Sequence, residues 1–178
     1  MKYGIKCYTS DEVQERIETI YGEKTVGMNR MHVTNIGSFQ VIPFQSPHNG
    51  TECDGFLIKH EKMGCLLFIT DAEYCKYDFS KIGINHVMIE CNYSEDYLAK
   101  DLENYGHILM GHLELEVAKR LIQTINTPML RSVGLLHLSS QNGNPERFRE
   151  EIEELVDCDV DVWVAEKGVE RELRLEPF

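Results

Sequence analysis

Three side chains stand where apolar runs end. His48 lies in SPHNGTECDGFLI, in a Pro-His-Asn-Gly turn just before the apolar run at 55–58. Asp71 directly follows CLLFIT, and His137 falls near the end of SVGLLHLS. A carboxylate at the mouth of a buried strand is costly without a partner and far cheaper beside a cation. One carboxylate and two imidazoles delivered to one rim of a sheet suit zinc or a similar metal. Asp71 would then bridge two ions, with His48 on one and His137 on the other. Each residue alone also has a plain structural reading. His48 fits a turn, and an aspartate after a strand can cap local backbone amides. The three together, in this order, carry the metal reading.

The elements that must position them are readable from periodicity. A strand is predicted over Ile5 to Thr9, with a capping box from Thr9 to Glu12 opening a helix that Gly22 ends. MHVTNIGSFQVIPF predicts two strands joined at Ile36-Gly37-Ser38. GFLIKHEKMGCLLFIT predicts a hairpin turning around Lys62-Met63-Gly64. A strand over His86 to Cys91 follows, then a helix from about Glu95 to Tyr105 with Gly106 as its stop. A further helix over Glu114 to Ile125 buries Val117, Ala118, Leu121, Ile122 and Ile125. Ser132 to Ser139 reads as a buried strand. Asn144-Pro145 opens a helix running to Val156, because proline suits a first helical position. Val160, Val162 and Val164 share one strand face, with the single tryptophan on the other. ERELRLE reads as a polar edge strand. Antiparallel strands thus precede strand–helix alternation, which predicts a mixed sheet with helices outside it.

Composition bounds the function. The 178 residues predict one domain, 1–178. A net charge of −12 disfavours nonspecific nucleic-acid binding, which needs a basic surface. It leaves room for phosphate-ester chemistry, where bound cations reverse the local potential. No apolar run is long enough to span a membrane, and the first residues carry no apolar signal core, so a cytoplasmic protein is expected. The six cysteines lack C-x-x-C spacing and read as reduced and mostly buried in strands.

SPHNGTECDGFLI, LLFITDAEY and GLLHLSSQN, taken in order, resemble the second half of metallo-β-lactamase-fold hydrolases. His48 matches that family's third-motif histidine, Asp71 its bridging aspartate and His137 its last metal histidine. MGHLELEVAKRLI resembles the histidine-plus-helix segment of the phosphodiesterase-like branch, which includes ribonuclease Z relatives. The resemblance runs from about Lys2 to Leu175. It implies an α+β fold, an αββα four-layer sandwich, with two zinc ions (or manganese) in the complete site. It implies that His112 contacts or protonates the scissile phosphate, although His112 could equally cap its own helix. Glu90 and Asn92, in IECNY, are expected to line the substrate pocket. The implied substrate is a small-molecule or nucleotide phosphodiester.

The sequence departs from this pattern in one respect. No H-x-H-x-D-H occurs among the seven histidines. The resemblance therefore implies missing N-terminal strands and a missing metal loop. Each ion is left with two protein ligands, where catalytic zinc usually has three. Cys53, Asp54, Glu73 or His112 would fill the gap only if loops rearranged. The expectation is a hydrolase impaired or inactive as this chain stands. The alternatives are a non-catalytic binding or regulatory module, or one chain of a split enzyme. An uncovered sheet face invites association, so a homo-oligomer or a complementing chain is expected.

Overall fold

The computed structural model describes residues 5–22, 24–98 and 105–175. The chain opens with β1 (Tyr8–Ser10), α1 (Asp11–Tyr21) and β2 (Val26–Met28), the two strands pairing in parallel. β1 is shorter than expected and starts later. The helix cap is Ser10, not Thr9: Ser10 Oγ accepts from the Val13 amide at 3.3 Å. Thr9 is still paired with Gly27 in the strand and cannot cap. Asp11 and Glu12 fill the first turn, where the helix dipole favours negative charge. Gly22 ends α1 in the left-handed conformation, as the sequence predicts.

Four antiparallel strands follow: β3 (Thr34–Ile36), β4 (Phe39–His48), β5 (Thr51–His60) and β6 (Gly64–Ile69). They join β7 (His86–Glu90), β8 (Ser132–Leu136) and β9 (Asp161–Val164), paired in parallel from β6 onward. The result is one seven-stranded mixed sheet whose spatial order is the sequence order. Parallel neighbours need crossovers. These carry α2 (Tyr105–Gly111) and α3 (Leu115–Ile125) between β7 and β8, and α4 (Pro145–Glu153) between β8 and β9.

One sheet face is the core. Leu67, Ile69, Val87, Ile89, Val133, Leu135 and Val162 pack in one buried cluster with Ala118, Ile122 and Ile125 of α3 and Phe148 and Ile152 of α4. The opposite face is a row in register: Phe56 beside Phe68, Phe68 beside Met88, Met88 beside Gly134, Gly134 beside Trp163. Gly134 is required there, because a Cβ would come within 2.4 Å of the Trp163 ring. Phe56, Phe68 and Met88 are half-buried. Among the described residues no helix is long and apolar enough to cross a membrane.

Several expectations are corrected. Gly106 lies inside α2 and does not stop a helix; of the helix expected from Glu95 to Tyr105, residues 95–97 form a turn, Leu98 is irregular and 99–104 lie outside the described residues. ERELRLE forms no strand over 170–175; among the described residues β9 pairs only with β8, and Leu175 instead donates its amide to the Lys62 carbonyl. The cysteines are unpaired, but only Cys65 and Cys91 are buried; Cys7 and Cys158 are exposed.

Candidate metal centre

Four ligand-type side chains converge where strands end. Asp71 stands two residues past β6, Glu90 is the last residue of β7, and His137 is the first residue past β8. These are the carboxyl ends of parallel neighbours, the rim where open α/β sheets bind ligands. His112 reaches the same point from the C-terminal end of α2. One ligand atom from each of Asp71, Glu90, His112 and His137 can be chosen so that all lie within 4.8 Å of one another.

Glu90 is the hub. Its side chain is 0% exposed. Its Oε1 lies 2.7 Å from His112 Nδ1 and 3.0 Å from His137 Nδ1. Its Oε2 accepts the Ala72 amide at 3.0 Å. Burying a carboxylate is costly unless it is hydrogen-bonded, and this one is on both oxygens. His137 Nδ1 is also 3.5 Å from Asp71 Oδ1, both side chains being nearly half exposed. The centre is thus closed at Glu90 and open at Asp71 and His137.

The backbone that presents two of these residues is unusual. Asp71 has φ of 51° and His137 φ of 56°, the left-handed region that L-residues rarely adopt. Such conformations persist where surrounding structure fixes them, and they gather at functional sites.

His48 ends β4, which runs in the same direction as β6, so it reaches the same rim. It is fixed by a two-residue hairpin turn in which Asn49 and Gly50 both have positive φ, 43° and 68°. Its ring lies 5.8 Å from the His112 ring, which in turn lies 5.2 Å from the His137 ring. His48 is not one of the four converging ligands. Its Nδ1 bonds the Gly111 carbonyl, so Nδ1 is the protonated nitrogen of the neutral ring.

The surroundings of Asp71 and His137 are richer than expected. His112 faces Asp71 and His137 without any loop rearranging, and Glu90 joins them. Glu90, expected to line the substrate pocket, stands within this cluster. The sequence signal for it is the one that singled out Asp71: a carboxylate ending a buried strand. Asn92, also expected to meet substrate, is 7% exposed and donates its amide inward to the His137 carbonyl at 2.7 Å. Asp54 is taken by Arg30 at 2.8 Å, and Glu73 accepts the Asn49 amide at 2.6 Å. Burial, with Asp71 nearby, pushes the Cys53 thiol up, so it remains a thiol and a poor ligand.

The donor set fits a divalent ion. Two carboxylates and two imidazoles suit zinc or manganese. A histidine that donates Nδ1–H to a carboxylate carries its lone pair on Nε2, the arrangement that orients metal-binding imidazoles. Two adjacent carboxylates also hold a negative potential that a cation would offset.

The fold has solved counterparts. A metallo-β-lactamase-fold protein from Bacillus subtilis, YhfI, superposes with a TM-score of 0.64 at 18% identity, over 91% of this chain and 62% of its own. This chain has the metallo-β-lactamase fold. A diphosphatase of the PhnP family with the same arrangement gives 0.58 at 15% identity, covering 95% of this chain and 59% of its own. Unliganded yeast PDE1 gives 0.56 at 18% identity, over 82% of this chain and 49% of its own. The chain thus spans less than two thirds of the length of each of these neighbours. No protein-family model matches the sequence, and no curated protein does.

Proposed function

We propose that this chain forms the metal site of a metallo-β-lactamase-fold hydrolase acting on phosphodiesters. The observation that carries the reading is the convergence of Asp71, Glu90, His112 and His137 on one point of the strand rim. Asp71 and His137, on the open side, would hold zinc or manganese, with His48 at the edge of the site. A bound ion supplies a Lewis acid for a phosphoryl oxygen and makes water more acidic. As the imidazolium, with Nδ1–H held by Glu90 at 2.7 Å, His112 would donate its Nε2 proton to a phosphate oxygen of the substrate. Glu90 fixes the tautomer of both imidazoles. The fold neighbour that is a diphosphatase supports a phosphate-ester substrate class.

A second reading is kept by the missing H-x-H-x-D-H: a metal-binding module that does not itself turn over, or one chain of a split enzyme. With it goes association with a second copy or a complementing chain, which the half-buried Phe56, Phe68 and Met88 support. Titration calorimetry with zinc and with manganese, beside hydrolysis of bis-p-nitrophenyl phosphate, tests the proposal. Metal binding with weak cleavage, both lost in Asp71→Ala, is the expected result. Metal binding without cleavage favours the second reading. Failure to bind either ion refutes the metal site.

A further inference from the structure

The two left-handed residues of the metal centre share a device. Each has its own carbonyl held by a buried polar side chain from a neighbouring segment. Ser46 Oγ, on β4, donates to the Asp71 carbonyl at 3.4 Å. Asn92 Nδ2, just past β7, donates to the His137 carbonyl at 2.7 Å. Ser46 is 2% exposed and Asn92 7%. Neither amide nor hydroxyl is spent on solvent.

The Asn92 contact is the shorter and the better anchored. The Asn92 amide donates to the Leu113 carbonyl at 2.9 Å, and the Asn92 carbonyl accepts the Ser139 amide at 2.8 Å. Asn92 therefore grips the 137–139 segment at two points, side chain and main chain. It is also fixed to the residue that follows His112. One side chain position links the loops that deliver both histidines.

We infer that Asn92 is a positioning residue for the metal centre: its amide locks His137 in the left-handed conformation that turns the imidazole toward Asp71 and Glu90. The logic is steric. Reversing the sign of φ redirects the Cα–Cβ bond, so His137 in an extended conformation would carry its ring off the rim. An L-residue does not hold a left-handed conformation without support, and a buried carbonyl stays with its donor because losing it is costly. Sites whose ligands are set this way depend on the supporting residues nearly as much as on the ligands. The inference rests on the metal-site reading for its consequence in binding, but its structural half stands apart from metal.

Three measurements test it. In metal-free wild-type protein, a coupling across the hydrogen bond from the Asn92 side-chain nitrogen to the His137 carbonyl carbon is expected; its absence overturns the inference without any variant. In Asn92→Ala and Asn92→Asp, which remove the donor, the His137 ring resonances should shift and its Nδ1 proton should exchange faster. Titration with zinc should show affinity about 10–100-fold below wild type, the range seen when the groups behind a ligand are removed. Folded variants with an unchanged His137 ring and zinc affinity within about twofold of wild type would sink the idea. Wild-type protein that binds no zinc refutes the proposed function, while the ring resonances still decide whether Asn92 positions His137.

Discussion

Replacing Asp71 by glycine and by alanine separates what the backbone does from what the carboxylate does. Both variants lose the ligand. Only glycine is at ease at φ of 51°. An alanine there bears the left-handed penalty of about 1–2 kcal/mol. Glycine returns part of that advantage through the greater freedom of its unfolded chain, about 0.4–1 kcal/mol. The glycine variant should therefore be the more stable by roughly 1 kcal/mol, or about 2–4 °C in Tm for a domain of this size. Against wild type it should change little, because the Asp71–His137 contact at 3.5 Å is nearly half exposed. Such pairs contribute about 0–1 kcal/mol. Urea denaturation in the presence of a chelator reads the comparison, with Trp163, the single tryptophan and 7% exposed, as the fluorescent probe. If the alanine variant equals or exceeds the glycine variant, the backbone at 71 is not strained and the argument fails.

Two more outcomes follow from the fold. Burial holds the His86 imidazole below its ordinary value of 6.5. The unfolded chain then takes up a proton that the folded chain resists. Stability from this group is present above about pH 6.5 and is lost as pH falls through the folded value. Urea midpoints at pH 7.5 and 5.5 should differ less in His86→Gln than in wild type. Arg30→Met should destabilise by about 3–5 kcal/mol, the cost of stranding a buried carboxylate. Asp54 is 3% exposed and meets Arg30 at 2.8 Å. A loss below about 1 kcal/mol would show that the Ser10 amide alone satisfies Asp54.

Local chemistry made much of the fold legible in advance. Gly37 and Gly64 announce turns by their composition, and both have positive φ. α3 buries Ala118, Ile122 and Ile125 as expected, with Val117 and Leu121 half-buried, and Asn144 with Pro145 opens α4 where expected. What failed depended on contacts made at a distance. Thr9 was a good cap in isolation, but its pairing with Gly27 moved the cap to Ser10. ERELRLE alternates like a strand, yet its described residues, 170–175, gain no strand partner. At the centre, Asp71 and His137 were visible because strands lead straight to them. Glu90 and His112 were visible as residues but not as neighbours. Their meeting depends on how the crossover between β7 and β8 returns to the rim, and no spacing in the sequence encodes that.

The division of the sheet also orders its assembly. β4, β5 and β6 close as successive hairpins, with turns only a few residues long. Short loops close early because little chain entropy is lost. The parallel pairings of β7, β8 and β9 must wait for long crossovers, and such non-local contacts form slowly. Asp71 comes from the early half, whereas Glu90, His112 and His137 come from the late one. The four-residue cluster is therefore expected to be complete only at the end of folding. Before the crossovers close, at most one of these four residues stands in place.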